Sequence, residues 1–305
     1  MRDAPIVLAL AMLLAVPLAG QVPGNEAGTP LLAGAIDIHV HTSPDDRPRS
    51  LDAFEAARFA QARGMRAIVL KNHYESTAGI AFLVRQQVPG IEVFGGVDLN
   101  LTVGGINPAA VAHMIRVTGG WGRIVWMPTF DAENQVRFSK EQRPFVAVSR
   151  NGELLSEVRQ VIALIAKHGL ALATGHSSPS EVLLILREGQ RQGLQRMVVT
   201  HAMLAPVQMD VAQMQEATKL GAFIEFVGGS IAGNDADARL TRFVEAIRRI
   251  GPASCILSSD LGQPGNALPA DGFAAFLAAL RAKGLSEQDL GRMVRDNPAR
   301  LLGLN

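Results

Sequence analysis

Two histidines placed two residues apart, His39 and His41, lie in the apolar segment 35–41 and are well suited to metal chemistry. The β-branched residues of this segment predict a β-strand. Side chains two apart on a strand share a face, so both imidazoles would project together while Ile38 and Val40 pack on the other face. Such a pair is half of a divalent-metal site, and two ordinary histidines on a strand are the alternative until partners are found.

Strand-like apolar runs alternate with helix-like segments along the rest of the chain. Eight runs have the nearly continuous apolar character of parallel strands buried on both faces, at residues 35–41, 67–71, 93–99, 123–128, 171–176, 197–201, 222–227 and 255–260. Most of them start roughly 25–35 residues apart, which leaves room for a strand, a helix and two loops. The pattern predicts an α/β fold, a (β/α)8 TIM barrel. A doubly wound open sheet is the alternative, but no Gly-x-Gly-x-x-Gly turn follows the first strand.

Local signals mark a helix start and one insertion. Ser178 and Glu181 have the spacing of a capping box at the beginning of a helix. The connection after the fourth strand is longer than the others, and an Asn-Gly pair at 151–152 follows a β-prone run within it. We therefore expect a small hairpin insertion near residues 130–155, where it could act as a lid over a site.

Polar residues gather at the predicted strand ends. Five of the seven histidines lie there, and only His113 and His168 fall in helical segments. In a (β/α)8 barrel the carboxyl ends of the strands meet at one mouth, where active sites are built. The residues that we place at this mouth are His39, His41, Lys71, His73, Asp98, His176, His201 and Asp260. Several imidazoles with a carboxylate suit zinc or another first-row divalent ion.

Taken together, this pattern resembles the amidohydrolase superfamily of metal-dependent hydrolases. The matching features are His-x-His on the first strand, His176 ending the fifth, His201 ending the sixth and Asp260 ending the eighth. Residues 297–304 look like the usual C-terminal helix, so the resemblance covers 35–305. The chain is also similar to a poorly characterised branch with Asp-x-His-x-His, Lys-x-His and Gly-Gly-Ile-Asn-Pro motifs, to which we attach no substrate.

The resemblance implies a set of metal ligands. That set is His39, His41, His176 and Asp260, with His201 as a further ligand or a substrate contact. Zn²⁺ is the expected ion. Two-metal members of the superfamily often carry a carbamylated lysine or a glutamate at the end of the fourth strand, and residues 126–129 offer neither. One ion is therefore expected.

Other residues near the mouth have open roles. Lys71, as such or carbamylated, or His73 could supply a ligand for a second ion, and an ammonium after an apolar run otherwise needs an anionic partner. Arg47 and Arg49 could bind a substrate carboxylate or phosphate, or could be solvated loop residues. Glu225, among apolar residues of the seventh strand, could face the site or pair with a buried cation.

The predicted function is that of a metal-dependent hydrolase of the amidohydrolase type. A metal-bound hydroxide would cleave an amide, ester, lactone or phosphoester bond of a small molecule. Asp260 would move the proton, and His201 or Lys71 would stabilise the developing negative charge. Asp37 is either an acceptor that fixes the tautomer of a ligand histidine or a simple strand-start residue. A decarboxylase on the same barrel and a non-catalytic metal-binding protein are the alternatives.

The N-terminus and the composition indicate where the protein is located and which partners it binds. Residues 1–20 have the cationic start, apolar run and small residues of a signal peptide, followed by a Gly- and Pro-rich linker at 21–34 and the barrel at 35–305. We expect a periplasmic or secreted protein, with an uncleaved anchor as the alternative. The net charge of +1 and the absence of a long basic run argue against nucleic acid as a partner. The sequence leaves the oligomeric state open.

Overall fold

Eight parallel strands follow one another around a barrel in chain order, each paired with the next. The structure is a computed structural model, and it describes residues 31–231 and 233–304. The strands are β1 Ile36–Val40, β2 Ala67–Leu70, β3 Glu92–Asp98, β4 Gly122–Trp126, β5 Ala171–Ala173, β6 Met197–Val199, β7 Ala222–Val227 and β8 Cys255–Ser258. The predicted (β/α)8 TIM barrel is confirmed, with every predicted strand in its place.

Most strands end earlier than predicted because the polar residues at their ends leave the sheet. His201 and Asp260, just beyond β6 and β8, have φ values of 26° and 50°. A positive φ is costly for residues with a Cβ atom and does not occur in a regular strand. Both side chains line the cavity at the barrel mouth, so this strained backbone coincides with the candidate site.

The barrel closes between its first and last strands through residues that also build the site. The Asp260 amide donates a hydrogen bond to the His39 carbonyl oxygen (2.9 Å), and the His41 amide donates one to the Leu261 carbonyl oxygen (2.9 Å). Val40 and Leu261 form a parallel bridge at the same place. Main-chain hydrogen bonds therefore tie the positions of His39, His41 and Asp260 to one another.

A β-bulge in β1 changes the direction of its side chains. Asp37 is in register with Ile68 and Val40 with Leu70, so three steps along β1 match two along β2. Ile38 consequently packs in the apolar cluster inside the barrel, whereas Val40 packs in the layer between the barrel and the helices. The prediction that these two residues share a face is wrong, because the bulge inserts one residue between them.

Helices surround the barrel and bury the outer faces of the strands. They are α1 Ala53–Ala62, α2 Ala78–Gln87, α3 Pro108–Arg116, α4 Glu133–Phe138, α5 Ser156–Lys167, α6 Pro179–Arg191, α7 Val211–Lys219, α8 Ala236–Ile250, α9 Pro269–Ala282, α10 Glu287–Gly291 and α11 Asn297–Leu302. The predicted capping box of Ser178 and Glu181 is present at the start of α6. This box stabilises the helix that follows the His176 loop.

The connection between β4 and β5 contains α4 and a short hairpin of Ser149–Arg150 with Glu153–Leu154. The hairpin borders a separate cavity of about 580 Å³ and not the cavity at the barrel mouth. Phe130 and Gln135, which precede the hairpin, line the mouth cavity instead. The expectation of a hairpin lid is therefore wrong, and the earlier part of the insertion covers the site.

Residues 31–34 of the predicted linker form a turn that packs with the barrel. Leu31 and Leu32 are buried in the main apolar cluster, and the Gly34 amide donates to the Gly64 carbonyl oxygen (2.8 Å). The predicted signal peptide and the rest of the linker lie outside the described residues. Within the described ranges, no helix has both the length and the apolar character needed to cross a membrane.

Candidate active site

The carboxyl ends of the strands enclose a cavity of about 330 Å³ into which the predicted strand-end residues converge. Its lining includes His39, His41, His73, His176, His201, Lys71 and Asp260, with Arg47 and Arg49 from the loop after β1. The larger cavity beside the hairpin is lined by none of these residues. The chemistry predicted from the sequence is therefore concentrated at the barrel mouth.

Three ligand atoms converge where the barrel closes. His39 Nε2 lies 3.2 Å from Asp260 Oδ1, and His41 Nε2 lies 3.1 Å from the same oxygen. Both imidazoles are buried, and the Asp260 side chain is 22% exposed. Ligand atoms of the three residues lie within 4.8 Å of one another. We call His39, His41 and Asp260 the closure group.

The second nitrogen of each ring decides where its lone pair points. His39 Nδ1 is 3.1 Å from Glu225 Oε1, and His41 Nδ1 is 2.9 Å from the Lys71 carbonyl oxygen. A carboxylate and a carbonyl only accept hydrogen bonds, so each Nδ1 carries the proton and donates it. In the neutral rings, each Nε2 then carries a lone pair close to Asp260 Oδ1, and His39 Nε2 also lies 3.1 Å from Lys71 Nζ.

The closure group fits a divalent cation. Burial lowers the pKa of His41 to about 4. At neutral pH this ring therefore stays unprotonated, and its Nε2 lone pair remains available to a cation. Burial opposes ionisation of Asp260, but the His39 and His41 rings in their protonated form hold the pKa of its carboxyl well below its usual range. Bonds of about 2.1 Å to a shared tetrahedral ion would separate its ligand atoms by roughly 3.4 Å. The distances from Asp260 Oδ1 to the two Nε2 atoms, 3.2 and 3.1 Å, are close to this value. Two imidazoles and a carboxylate are a ligand set for Zn²⁺ or another first-row divalent ion.

His176 and His201 form a second pair beside the closure group. Their Nε2 atoms are 3.2 Å apart, and His176 Nδ1 lies 2.8 Å from Gln135 Oε1. His201 Nδ1 is buried and has no hydrogen-bond partner in the described part of the chain. Burial lowers the pKa of both rings. The structure thus brings three of the predicted ligands together and places the other two as a neighbouring pair, with the His201 ring stacked 6.2 Å from that of His39.

Lys71 is buried next to the closure group. Its Nζ lies 3.1 Å from His39 Nε2 and 3.7 Å from Asp98 Oδ2, and 5.4 Å from the centre of the Trp126 ring. Asp98 is thus the anionic partner that a buried ammonium requires. Burial raises the pKa of Asp98 to about 6, against the effect of Lys71. The candidate ligand set omitted Asp98, although its position at the end of β3 was a usable signal.

His73 lines the cavity but is held by residues outside the closure group. Its Nδ1 is 2.9 Å from Thr129 Oγ1 and 3.3 Å from Asp98 Oδ2, and the Phe130 ring centre lies 4.1 Å from that of His73. Thr129 and Phe130 were missed as site residues. They follow β4 in a segment where no sequence motif marks them.

Glu225 supports both histidine pairs from inside the barrel. Its Oε1 accepts hydrogen bonds from His39 Nδ1 (3.1 Å) and Ser258 Oγ (2.6 Å), and its Oε2 accepts one from the His201 amide (2.9 Å). Burial opposes its ionisation, but the His39 ring and these donors lower the pKa of Glu225 to about 2. Of the two roles left open for Glu225, the structure shows that it faces the site, where it orients a histidine.

Asp37 has a main-chain role instead. Its Oδ1 accepts hydrogen bonds from the amides of His39 (3.1 Å) and Ser259 (3.0 Å), across the bulge in β1. The hypothesis that Asp37 fixes the tautomer of a ligand histidine is wrong. The bulge places its carboxylate against amides rather than against an imidazole ring.

Replacing Glu225 by glutamine is expected to weaken divalent-metal binding by about 10- to 100-fold, the effect of losing a group that orients a ligand histidine. Glutamine preserves the shape but removes the charge that holds the proton on His39 Nδ1. Competition with a chromophoric chelator measures the affinity. Glu188→Gln is the matched control, since Glu188 is a buried carboxylate paired with Arg191 and Arg159, and its affinity should equal that of the wild type. Equal affinities for the two variants would remove Glu225 from the metal site.

The two loop arginines occupy different environments. The Arg49 side chain is 4% exposed; its Nε donates to Asp45 Oδ2 (2.7 Å), and its Nη2 lies 2.6 Å from the same oxygen. Arg47 is 46% exposed, and its Nη2 donates to the Tyr74 hydroxyl (2.8 Å). The sequence did not distinguish the two arginines. In the structure Arg49 is paired within its own loop, whereas Arg47 lies at the entrance of the cavity.

Solved hydrolases have a similar barrel. A mutant organophosphorus hydrolase from Deinococcus radiodurans is 18% identical, with 93% of this chain and 100% of that one covered at a TM-score of 0.58. A putative 2-pyrone-4,6-dicarboxylic acid hydrolase from Pseudomonas putida is 17% identical, with 88% and 97% covered at 0.59. The phosphotriesterase homology protein from Escherichia coli, solved with phosphate in its active site, is 18% identical, with 89% and 99% covered at 0.60. At these identities the matches confirm the predicted barrel fold, which these solved hydrolases share.

Comparison by sequence relates the chain to fewer proteins than comparison by structure. No curated protein matches the chain. The profile of DUF6282, a family of unknown function, matches residues 34–225. The matched range contains both histidine pairs, Lys71 and Glu225, and Asp260 lies beyond it.

Proposed function

We propose that this chain, which belongs to DUF6282, a family of unknown function, is a metal-dependent hydrolase of the amidohydrolase type. The observation that carries the proposal is the closure group, in which two oriented imidazoles and a carboxylate converge at the carboxyl end of a (β/α)8 barrel. The structural neighbours support it, since their names describe hydrolysis of organophosphorus compounds and of 2-pyrone-4,6-dicarboxylic acid, and one is a dihydroorotase.

The proposed cofactor is one divalent ion, Zn²⁺, held by His39, His41 and Asp260. When bound, such an ion acts as a Lewis acid that makes water reactive near neutral pH. The lone pairs on both Nε2 atoms are directed at this position by Glu225 and by the Lys71 carbonyl oxygen. His176 and His201 face the same cavity and complete its polar wall.

The side chains around the closure group have distinct proposed roles. Asp260 is ionised at neutral pH and is placed to accept a proton from the attacking water and pass it to the leaving group. The buried Lys71 ammonium and His201 are placed to stabilise negative charge on a carbonyl or phosphoryl oxygen. The scissile bond is an amide, ester, lactone or phosphoester of a small molecule, for which the cavity of about 330 Å³ has room.

The setting of the reaction follows from the N-terminus. We propose export to the periplasm or the medium, supported by the signal-peptide pattern in residues 1–20. Cell fractionation with mass spectrometry of the mature N-terminus tests this, and recovery of the full-length chain in the cytoplasm would contradict it. A small molecule, and neither nucleic acid nor membrane, is the proposed partner of the mature protein.

Purified protein is expected to contain about one equivalent of a divalent metal and to hydrolyse at least one member of a panel of 4-nitrophenyl acetate, δ-valerolactone, dihydroorotate, paraoxon and 4-nitrophenyl phosphate. Removal of the metal with dipicolinate should abolish turnover, and Zn²⁺ should restore it. Elemental analysis and product assays provide the measurements.

Three outcomes would contradict the proposal. One is protein that stays metal-free after reconstitution. Another is metal-loaded protein that turns over nothing in the panel, which favours a metal-binding role. The last is release of CO2 from carboxylic acids without an alcohol, amine or phosphate product, which favours a decarboxylase.

A further inference from the structure

Arg47 lies at the entrance of the mouth cavity and does not use all of its hydrogen-bond donors. Its Nη2 donates to the Tyr74 hydroxyl, and its Nε lies 3.8 Å from an Asp46 carboxylate that is itself 53% exposed. An exposed pair at that distance is weak. A guanidinium carries five N–H groups in a planar fork, so Arg47 keeps most of its donors for another group.

Arg49 lines the same cavity, but it is paired with Asp45 within its own loop. Its contacts to Asp45 are short and nearly fully buried, so its charge is neutralised within the loop. In the described part of the chain, the only carboxylate that lines the cavity is Asp260, which belongs to the closure group. Asp46, the carboxylate beside Arg47, does not line the cavity.

Aromatic rings hold the Arg47 guanidinium in a defined position. Its central carbon lies 4.1 Å from the centre of the Phe130 ring and 5.5 Å from that of Tyr74. The Phe130 ring in turn lies 4.1 Å from the His73 ring and 5.7 Å from the His176 ring. One aromatic ring therefore separates the cation from the imidazoles, so a small molecule can reach both.

We propose that the substrate carries a carboxylate remote from the bond that is cleaved, and that Arg47 binds this carboxylate at the Phe130 side of the cavity. The inference rests on the proposed hydrolase function and names its substrate class. A single guanidinium matches the single charge of a carboxylate and can bind both of its oxygens through parallel N–H groups. Pre-orientation over Phe130 lowers the entropy lost when this contact forms.

The test compares two probes that differ in one group, glutarate and glutaramate, in which an amide replaces one carboxylate. Calorimetry on the Zn²⁺-loaded protein at fixed ionic strength measures both affinities, and the remaining carboxylate is common to the two probes. We expect the wild type to prefer glutarate by about tenfold or more, the size of a hydrogen bond between charged groups. Arg47→Met should reduce the preference to less than about twofold while glutaramate binds as before.

Arg47→Lys and Arg58→Met complete the set. Lysine retains the charge but not the fork, so an intermediate preference is expected. Arg58 is exposed on α1, and its methionine variant should keep the wild-type preference. Equal binding of the two probes by the wild type, or a preference that survives in Arg47→Met, would overturn the inference. A hydrolysis screen that fails while the Arg47-dependent preference holds would reject the hydrolase and retain the anion site.

Discussion

The Asp260→Asn protein is expected to lose about 10²- to 10⁴-fold in kcat on whichever substrate the wild type hydrolyses, the range for removal of a positioned general base. Asparagine keeps the shape of the side chain and its main-chain contacts to His39, so the barrel should still close. It cannot take up a proton, and it lacks the negative charge that balances a cation in the closure group. Steady-state kinetics and metal content are measured on the same samples. Together they separate loss of the proton acceptor from loss of the metal.

Asp235→Asn is the control for the Asp260 experiment, because Asp235 is exposed and makes no side-chain capping bond. Its kcat and metal content should match those of the wild type. The most informative result is an Asp260→Asn protein that keeps its metal and loses its turnover, which assigns the proton transfer to Asp260. Wild-type kcat in this variant would remove Asp260 from the mechanism.

The His41→Ala protein is expected to lose more than about 100-fold in metal affinity, because loss of a ligand should exceed the 10- to 100-fold cost of losing a supporting group. Only His39 and Asp260 of the closure group would remain, and the Lys71 carbonyl oxygen would lose its imidazole donor. Dialysis against Zn²⁺ followed by elemental analysis gives the stoichiometry. Thermal unfolding with and without Zn²⁺ should show stabilisation by the metal in the wild type that is absent from the variant.

His168→Ala controls for loss of a histidine as such, since His168 is exposed at the end of α5 and precedes β5, at the end of the barrel opposite the mouth. It should bind about one equivalent with wild-type affinity. Retention of metal by His41→Ala at wild-type affinity would move the binding site to the His176 and His201 pair. Two equivalents in the wild type would contradict the one-ion proposal and assign a second ion to that pair.

Much of the barrel could be predicted because the signals are local. Apolar runs of strand length and the spacing between them identify eight βα units, and a barrel then requires the strand ends to meet at one mouth. The histidines of β1, β5 and β6 could be placed at that mouth because each lies within three residues of the end of its strand. The capping box at Ser178 was equally readable, since it depends on residues three apart.

Local signals failed where register and side-chain direction decide the contact. The prediction that Ile38 shares a face with Val40 assumed a regular strand, and the bulge in β1 breaks that alternation. The same bulge turns Asp37 toward amides and leaves the orientation of His39 to Glu225, which is distant in sequence. A pleated alternation cannot reveal an inserted residue, because the bulge is a property of two paired strands.

The sequence by itself determined which chemical groups reach the barrel mouth, since strand periodicity and strand ends are encoded within a few residues. Only the tertiary structure decided how those groups divide. It separated His39, His41 and Asp260 from the His176 and His201 pair. It also paired Arg49 closely with Asp45 and left Arg47 exposed at the cavity entrance, bonded to Tyr74. These outcomes depend on distances of about 3 Å between side chains from different strands and loops, where hydrogen bonds form or fail. Composition and spacing along one chain do not contain those distances.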